Sequence, residues 1–142
     1  ALEAIRLTRS ALDERAAKVL TEADLLKILA IDAELPLAQI DFDLLAAIAD
    51  LEPYGMANPR PKFVAYAARV ADVSMVGKNG DHLRLRLEQG NVTFGAIGFG
   101  LGTSWPGVLN PGDLIDIVFE PDINEWNGRK DIQLKIVDIK KL

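Results

Sequence analysis

Leu51-Glu52-Pro53-Tyr54-Gly55-Met56-Ala57-Asn58-Pro59-Arg60-Pro61-Lys62-Phe63 packs three prolines and a glycine into thirteen residues. No helix runs through such a stretch. Each proline removes a backbone donor, and each residue before a proline is pushed toward extended geometry. Upstream the pattern is helical and acidic. Downstream it is all strand, and eight of the nine aromatics lie from Tyr54 onward. The stretch is therefore the expected boundary between a helical arm, residues 1–52, and a β domain, residues 53–142.

Charge divides at the same place. Residues 1–52 carry five Lys/Arg against eleven Asp/Glu, and residues 53–142 carry eleven against ten. The β half is near neutral, so it can hold a polyanion only through a local patch. At 142 residues the chain can bury one core, or a small core with a docked arm. Cysteine is absent, which excludes disulfides, thiol nucleophiles and thiolate metal sites. That fits a cytoplasmic location. No apolar run approaches the ~18 residues of a membrane span. The first residues show no secretory signal, and the missing initiator Met suggests a processed chain or an excised fragment.

Upstream of the boundary, residues 2–20 are expected to form an amphipathic helix, with Leu2, Ile5, Leu12, Ala16 and Val19 on one stripe. Thr21 to Asp24 resembles an N-cap entering a short helical turn. Residues 27–35 are expected to be extended and to end at Pro36. Asp41 is placed to cap a helix over residues 42–51, with Leu44, Leu45, Ile48 and Leu51 inward.

Downstream the period becomes two. Val64, Tyr66, Ala68 and Val70 alternate, and then the phase shifts so that Val73 and Met75 take over, as at a bulge. Asn79-Gly80 is a hairpin signal. Leu83, Leu85 and Leu87 then face one side, with His82, Arg84, Arg86 and Glu88 on the other. A strand over 92–99 follows, then a Gly/Pro-rich connection over 100–112. Two more strands, 113–120 and one through Ile132, Leu134 and Ile136, are joined by a turn at Asn127-Gly128. The expected fold is mainly β with an N-terminal helical segment: a five-stranded Greek-key barrel of oligonucleotide-binding (OB) type. An SH3-like barrel is the competing architecture, and the long connection between the third and fourth strands favours the OB form.

The catalytic inventory is thin. With one histidine, His82, and no cysteine, the common zinc arrangements cannot be built. The acidic pairs Asp32/Glu34 and Asp41/Asp43 suit a solvated edge and a helix N-terminus better than a metal. Gly98-Phe99-Gly100-Leu101-Gly102 has glycines at alternate positions but leads into no convincing helix, so it is a loop rather than a phosphate cradle. The candidate functional face is His82, Arg84 and Arg86. Residues two apart on a strand sit about 7 Å from one another, close to the phosphate spacing of an extended single strand. Trp126 is the candidate stacking platform, with Arg129 and Lys130 beside it at the turn. The competing reading is a solvated strand face whose cations pair with Asp81, Glu88, Asp116 or Glu120. For Trp126 it is a cover over the barrel end, and for His82 a half-buried hydrogen-bonding strand residue.

Residues 51–63 also resemble a segment, L-E-P-[FY]-G-x-G-N-P-x-P-x-F, of the RecJ-type single-strand exonucleases, where it joins the DHH-family nuclease core to an OB fold. Ala57 stands where that pattern has glycine, and a left-handed backbone there would strain it. Gly80-Asp81-His82-Leu83-Arg84-Leu85, Ala96-Ile97-Gly98-Phe99, Asn124-Glu125-Trp126-Asn127-Gly128 and Gln133 to Ile139 match in order. Residues 1–24 resemble the helix trailing the family's DHHA1 domain. The family's metal-binding D-H-H motifs and its G-G-H-x-x-A-A-G loop are absent from this sequence. The resemblance implies the C-terminal piece of a nuclease that digests single-stranded DNA 5′ to 3′ with Mn²⁺ or Mg²⁺ in repair and recombination. It implies no catalytic residue, metal or cofactor in this piece, which is expected to be inactive alone. The implied partners are single-stranded DNA, the DHH/DHHA1 core and the single-strand-binding protein, with no membrane. The alternative function is a protein-docking or structural module of the same nuclease, without DNA contact.

Overall fold

The computed structural model describes residues 2–21, 24, 28–105, 107–126 and 128–142. By backbone contact the chain falls into two compact units, residues 1–30 and 31–142. The first is the helix α1, Leu2–Val19, with an exposed Arg9–Asp13 pair one turn apart. After it, the Thr21 backbone N–H and hydroxyl both donate to the Asp24 carboxylate, at 2.8 and 2.7 Å. Asp24 N–H donates back to the Thr21 hydroxyl at 3.4 Å, as an N-cap would; the helical turn expected after it falls on Glu22, Ala23 and residues 25–27, which lie outside the described residues.

The second unit contains β1 (Ala33–Glu34), α2 (Phe42–Ala49), β2 (Phe63–Val76), β3 (His82–Gln89), β4 (Val92–Gly98), β5 (Leu114–Trp126) and β6 (Arg129–Lys141). β2 pairs antiparallel with β5 through its first half and with β3 through its second. β3 pairs with β4, β4 runs parallel to β6, and β6 pairs with β5, so five strands close into a barrel. The parallel β4–β6 contact and the long 99–113 connection are the Greek-key step that distinguishes an OB barrel from a simple meander.

The alternation of β3 builds the core. Leu83, Leu85 and Leu87 are buried, with Val70, Ala96, Ile115, Ile117, Phe119, Leu134 and Ile136 around them. β2 departs from the expected alternation. Its register slips between Ala65 and Ala68 and again between Val70 and Asp72. At the first slip Ala67 adopts a left-handed backbone, φ 52°, and its N–H donates to Asp116 at 3.0 Å. Tyr66, expected inward, is turned out to solvent by that bulge. The second slip is the expected phase change before Val73.

Residues 31–52 pack on the barrel. β1 adds to β2 in parallel, Ala33 against Phe63. Gln89 fastens the turn after Pro36: its Oε1 accepts from Leu37 N–H at 2.7 Å, and its Nε2 donates to Tyr66 O at 2.7 Å. Asp41 caps α2 as expected, accepting from Leu44 N–H at 2.8 Å. Leu45 and Ile48 are buried, but Leu51, expected inward, lies beyond the helix end and is exposed.

The proline-rich stretch is held by its polar residues. Asn58 Nδ2 donates to the carbonyls of Leu51 and Pro53, at 2.8 and 3.1 Å, which the proline-interrupted backbone leaves without helical partners. Gly55 and Asn58 bridge to each other, and the Tyr54 hydroxyl donates to Ile48 O. Ala57 is not among the residues with positive φ, so alanine sits there without strain. Arg60 stacks over the Tyr54 ring, 5.8 Å from its centroid, and donates to Pro121 O and Asp122.

Asp122 joins this linker to the barrel, since it also pairs with Lys135 on β6. Burial pushes its carboxyl up. Hydrogen bonds from Lys135 and the Ile123 N–H, with the charges of Lys135 and Arg60, outweigh burial and hold it below its ordinary value. A carboxylate lowered by folding stabilises fully above the ordinary value of about 4, and loses that contribution as pH falls through its folded value. Asp122→Asn is expected to cost roughly 1 kcal/mol at neutral pH, the partial exposure of the group keeping the figure small. Urea melts of both proteins should differ at pH 7 and converge as pH falls through the lowered value of the folded carboxyl. A difference that persists in acid would mean the carboxylate charge is not what matters.

Candidate nucleic-acid interface

An open groove of about 750 Å³ runs over the outer face of β3 and β4, from Asp72 and Ser74 on β2 to Asn124 and residues 130–133 of the β5–β6 hairpin. Its shape follows from register. Arg86 is opposite Asp72 on one side and Gly95 on the other, and Gly95 is opposite Gln133. The next row is Ser74, Arg84, Ile97 and Lys135. Because Leu83, Leu85 and Leu87 must point into the core, Arg84 and Arg86 must point out, and both are exposed.

Among the described residues, neither Arg84 nor Arg86 has a carboxylate within ion-pair distance. Three of the four carboxylates named in the competing reading are engaged elsewhere. Glu88 pairs with Arg69 at 3.0 Å and Glu120 with Lys62 at 3.8 Å, while Asp116 accepts the Ala67 N–H. Lys130 also lines the groove; its 3.8 Å contact with Glu125 is well exposed and worth little. Three cations thus face the groove together with two carboxylates, Asp72 and Asp131. The field is positive but modest.

The other sequence candidates lie differently. His82 is not in the groove lining. Its Nδ1 accepts the Gly100 N–H at 3.1 Å, and its ring meets the Phe99 edge at 5.2 Å between centroids. Arg129 is exposed at the hairpin end, outside the groove lining. Trp126 pairs with Arg129 by its backbone, and its side chain lies outside the described residues. Asn127 of the same turn lies outside them too.

Two aromatics at the groove were missed by sequence reasoning. Phe42, at the first turn of α2, is half exposed; Phe94 also borders the groove, but it is opposite Leu87 and so lies on the core side of β4, partly buried against the core. Nothing local announces that the first turn of α2 reaches the groove. The lone histidine and the carboxylates build no metal centre: among the described residues, no group of three His, Cys, Asp or Glu converges. Among the same residues, no helix is long and apolar enough to cross a membrane.

Comparison with known proteins meets this geometry. A family model described as the RecJ OB domain matches residues 31–138, nearly the whole second unit. The single-stranded-DNA-specific exonuclease RecJ of Bacillus subtilis (strain 168) is 35% identical over 130 residues, which is 92% of this chain and 16% of that protein. Crystal structures of RecJ from Thermus thermophilus, in complex with Mg²⁺ and with Mn²⁺, superpose with a TM-score of 0.69 at 25% identity. They cover 94% of this chain, which spans 20% and 18% of theirs. The chain is therefore a small part of the length of the relatives it matches. On the family match, the identity and the barrel itself, the chain belongs to the RecJ OB domain family.

Proposed function

We propose that this chain is the single-strand-binding module of a RecJ-like nuclease, holding DNA on the groove while a DHH/DHHA1 core elsewhere in a longer protein cuts it. In this reading residues 1–24 are the tail of that preceding domain, and the parent is a cytoplasmic 5′ to 3′ exonuclease using Mn²⁺ or Mg²⁺. The donor set of this chain does not fit such a metal site, so no catalytic step is assigned to it. The observation that carries the proposal is the pair Arg84 and Arg86, exposed about 7 Å apart and without carboxylate partners among the described residues, on the groove that Lys130 closes.

The chemistry suits a single strand. Cations at strand spacing meet successive phosphates and read no sequence, while aromatic rings stack on any base. Phe42 lines the groove, and Trp126 at the hairpin end is a second platform in this proposal. Three cations imply two or three neutralised phosphates, hence a shallow salt dependence, with log K falling against log salt by about 1.4 to 2.1.

The test is anisotropy titration of labelled oligothymidylate at two salt concentrations. Wild type should bind weakly with that slope. Arg84→Ala/Arg86→Ala should bind roughly tenfold or more weaker, with a slope reduced by about 1.4. Equal binding by both proteins would remove this face. No binding by wild type at low salt would move the function to docking, on the nuclease core or on a single-strand-binding protein.

A further inference from the structure

Gly95 lies in the middle of β4, with β3 paired on one side and β6 on the other. A glycine in such a place weakens a sheet, because it has no side chain to pack and more freedom to lose. A glycine there often marks a bulge, a tight bend at a barrel corner, or the close approach of another backbone or a ligand. The β3–β4 register runs unshifted through Gly95, so there is no bulge, and neither backbone conformation nor internal crowding requires glycine. Gly95 is not among the glycines with positive φ. A Cβ built on it meets nothing within 4 Å. The contrast with nearby glycines is sharp: a Cβ on Gly98 would fall 2.6 Å from the Leu101 side chain, and one on Gly102 would fall 2.1 Å from Gly80 O. Those two are fixed by packing, whereas Gly95 is exposed on the groove floor between Arg86 and Gln133.

We infer that Gly95 is a contact position for nucleic acid: the bare backbone on which one base of the single strand lies flat, beside the Arg86 guanidinium and the Gln133 amide. The inference rests on the groove being the binding face. The geometry suits a planar group. Any side chain at residue 95 would stand up from the sheet and lift the base off the floor. Arg86 can meet the flanking phosphate, and Gln133 can donate to or accept from a base edge without selecting one base. The ligand is therefore a strand with its bases unstacked; a duplex buries its base faces and has none to lay on this floor.

The experiment compares wild type, Gly95→Ala, Gly95→Val and Arg84→Ala/Arg86→Ala in the full 142-residue chain. Each is melted, then titrated with labelled oligothymidylate and with an abasic strand of equal length. Gly95→Val should melt no lower than wild type, since a β-branched residue suits an open strand position. It should bind oligothymidylate roughly tenfold more weakly, with Gly95→Ala between, and the abasic strand with little change. Normal binding by Gly95→Val, while Arg84→Ala/Arg86→Ala fails, would overturn the floor and leave the groove standing. Normal binding by both would remove the groove, and the floor with it. Equal weakening on the abasic strand would overturn the base contact. A lowered melting point in both Gly95 variants would give glycine a structural reason and overturn the inference.

Discussion

Leu85→Asp is expected to abolish folding of the barrel. Leu85 is 2% exposed, between Leu83 and Leu87 on the inward face of the strand that carries the binding arginines. Truncating such a leucine alone removes roughly 2–5 kcal/mol. Aspartate adds an ionised or forcibly protonated carboxyl with no polar partner nearby, since every buried residue around it is apolar. Total stability for a domain of this size is on the order of 5–15 kcal/mol, so the sum consumes most of it. Arg84→Asp is the control. It places the same carboxylate one residue away on the exposed face and should fold, although it should not bind. Circular dichroism and a thermal melt of the two variants decide the matter: if Leu85→Asp melts as Arg84→Asp does, the strand faces the other way.

That contrast marks how far the sequence carried the fold. The period-two pattern of residues 82–88 fixed which face of β3 is core, because a one-residue slip would exchange leucines for arginines. Asp41 gave the start of α2, and Gly80 and Gly128, both with positive φ, gave two hairpins. What stayed hidden rests on pairing between distant residues. The parallel addition of β1 to β2 has no local signature. Neither has Gln89, whose amide bonds residues 52 and 23 positions away. Tyr66 was misplaced because the bulge falls on Ala67, an alanine in a conformation that usually attracts glycine.

The candidate site was legible to the same degree. Arg84 and Arg86 stood out because the strand pattern exposes them. Whether they are neutralised depended on Glu88, Glu120 and Asp116, whose partners only the folded chain brings near. Phe42, Phe94 and Gln133 join the groove from three separate elements, and their convergence is a matter of register. His82 shares the arginines' alternation but is claimed by Gly100, eighteen residues on. The Gly98 to Gly102 run, set aside as a phosphate cradle, proves to be a packing device that holds this histidine and its loop.

Gly102→Ala tests that device and should be the most damaging of the glycine substitutions. The turn 101–103 lies on the hairpin between β2 and β3, with Gly102 N–H donating to Asp81 O at 2.9 Å. An added Cβ would stand 2.1 Å from Gly80 O, 2.6 Å from Asp81 C and 2.8 Å from His82 N, all backbone atoms that cannot rotate away. Either the turn lifts off or the hairpin moves. Both break the Gly102–Asp81 bond and strain the neighbouring Gly100–His82 contact. Overpacking with loss of a buried hydrogen bond costs on the order of 3 kcal/mol. For a chain of this size that lowers the melting temperature by roughly 10 °C. Gly100→Ala should fall between the extremes: its φ of 72° strains alanine, but its Cβ meets open space, so the cost is about 1–2 kcal/mol. Gly95→Ala should cost nothing. Thermal melts of the three variants should therefore rank Gly102, Gly100 and Gly95 in order of damage, while the loss of oligonucleotide affinity at unchanged stability should belong to Gly95 alone. A Gly102→Ala protein as stable as wild type would show that the 101–103 turn does not rest on the hairpin. His82 would then be free to swing toward the strand it was first expected to touch.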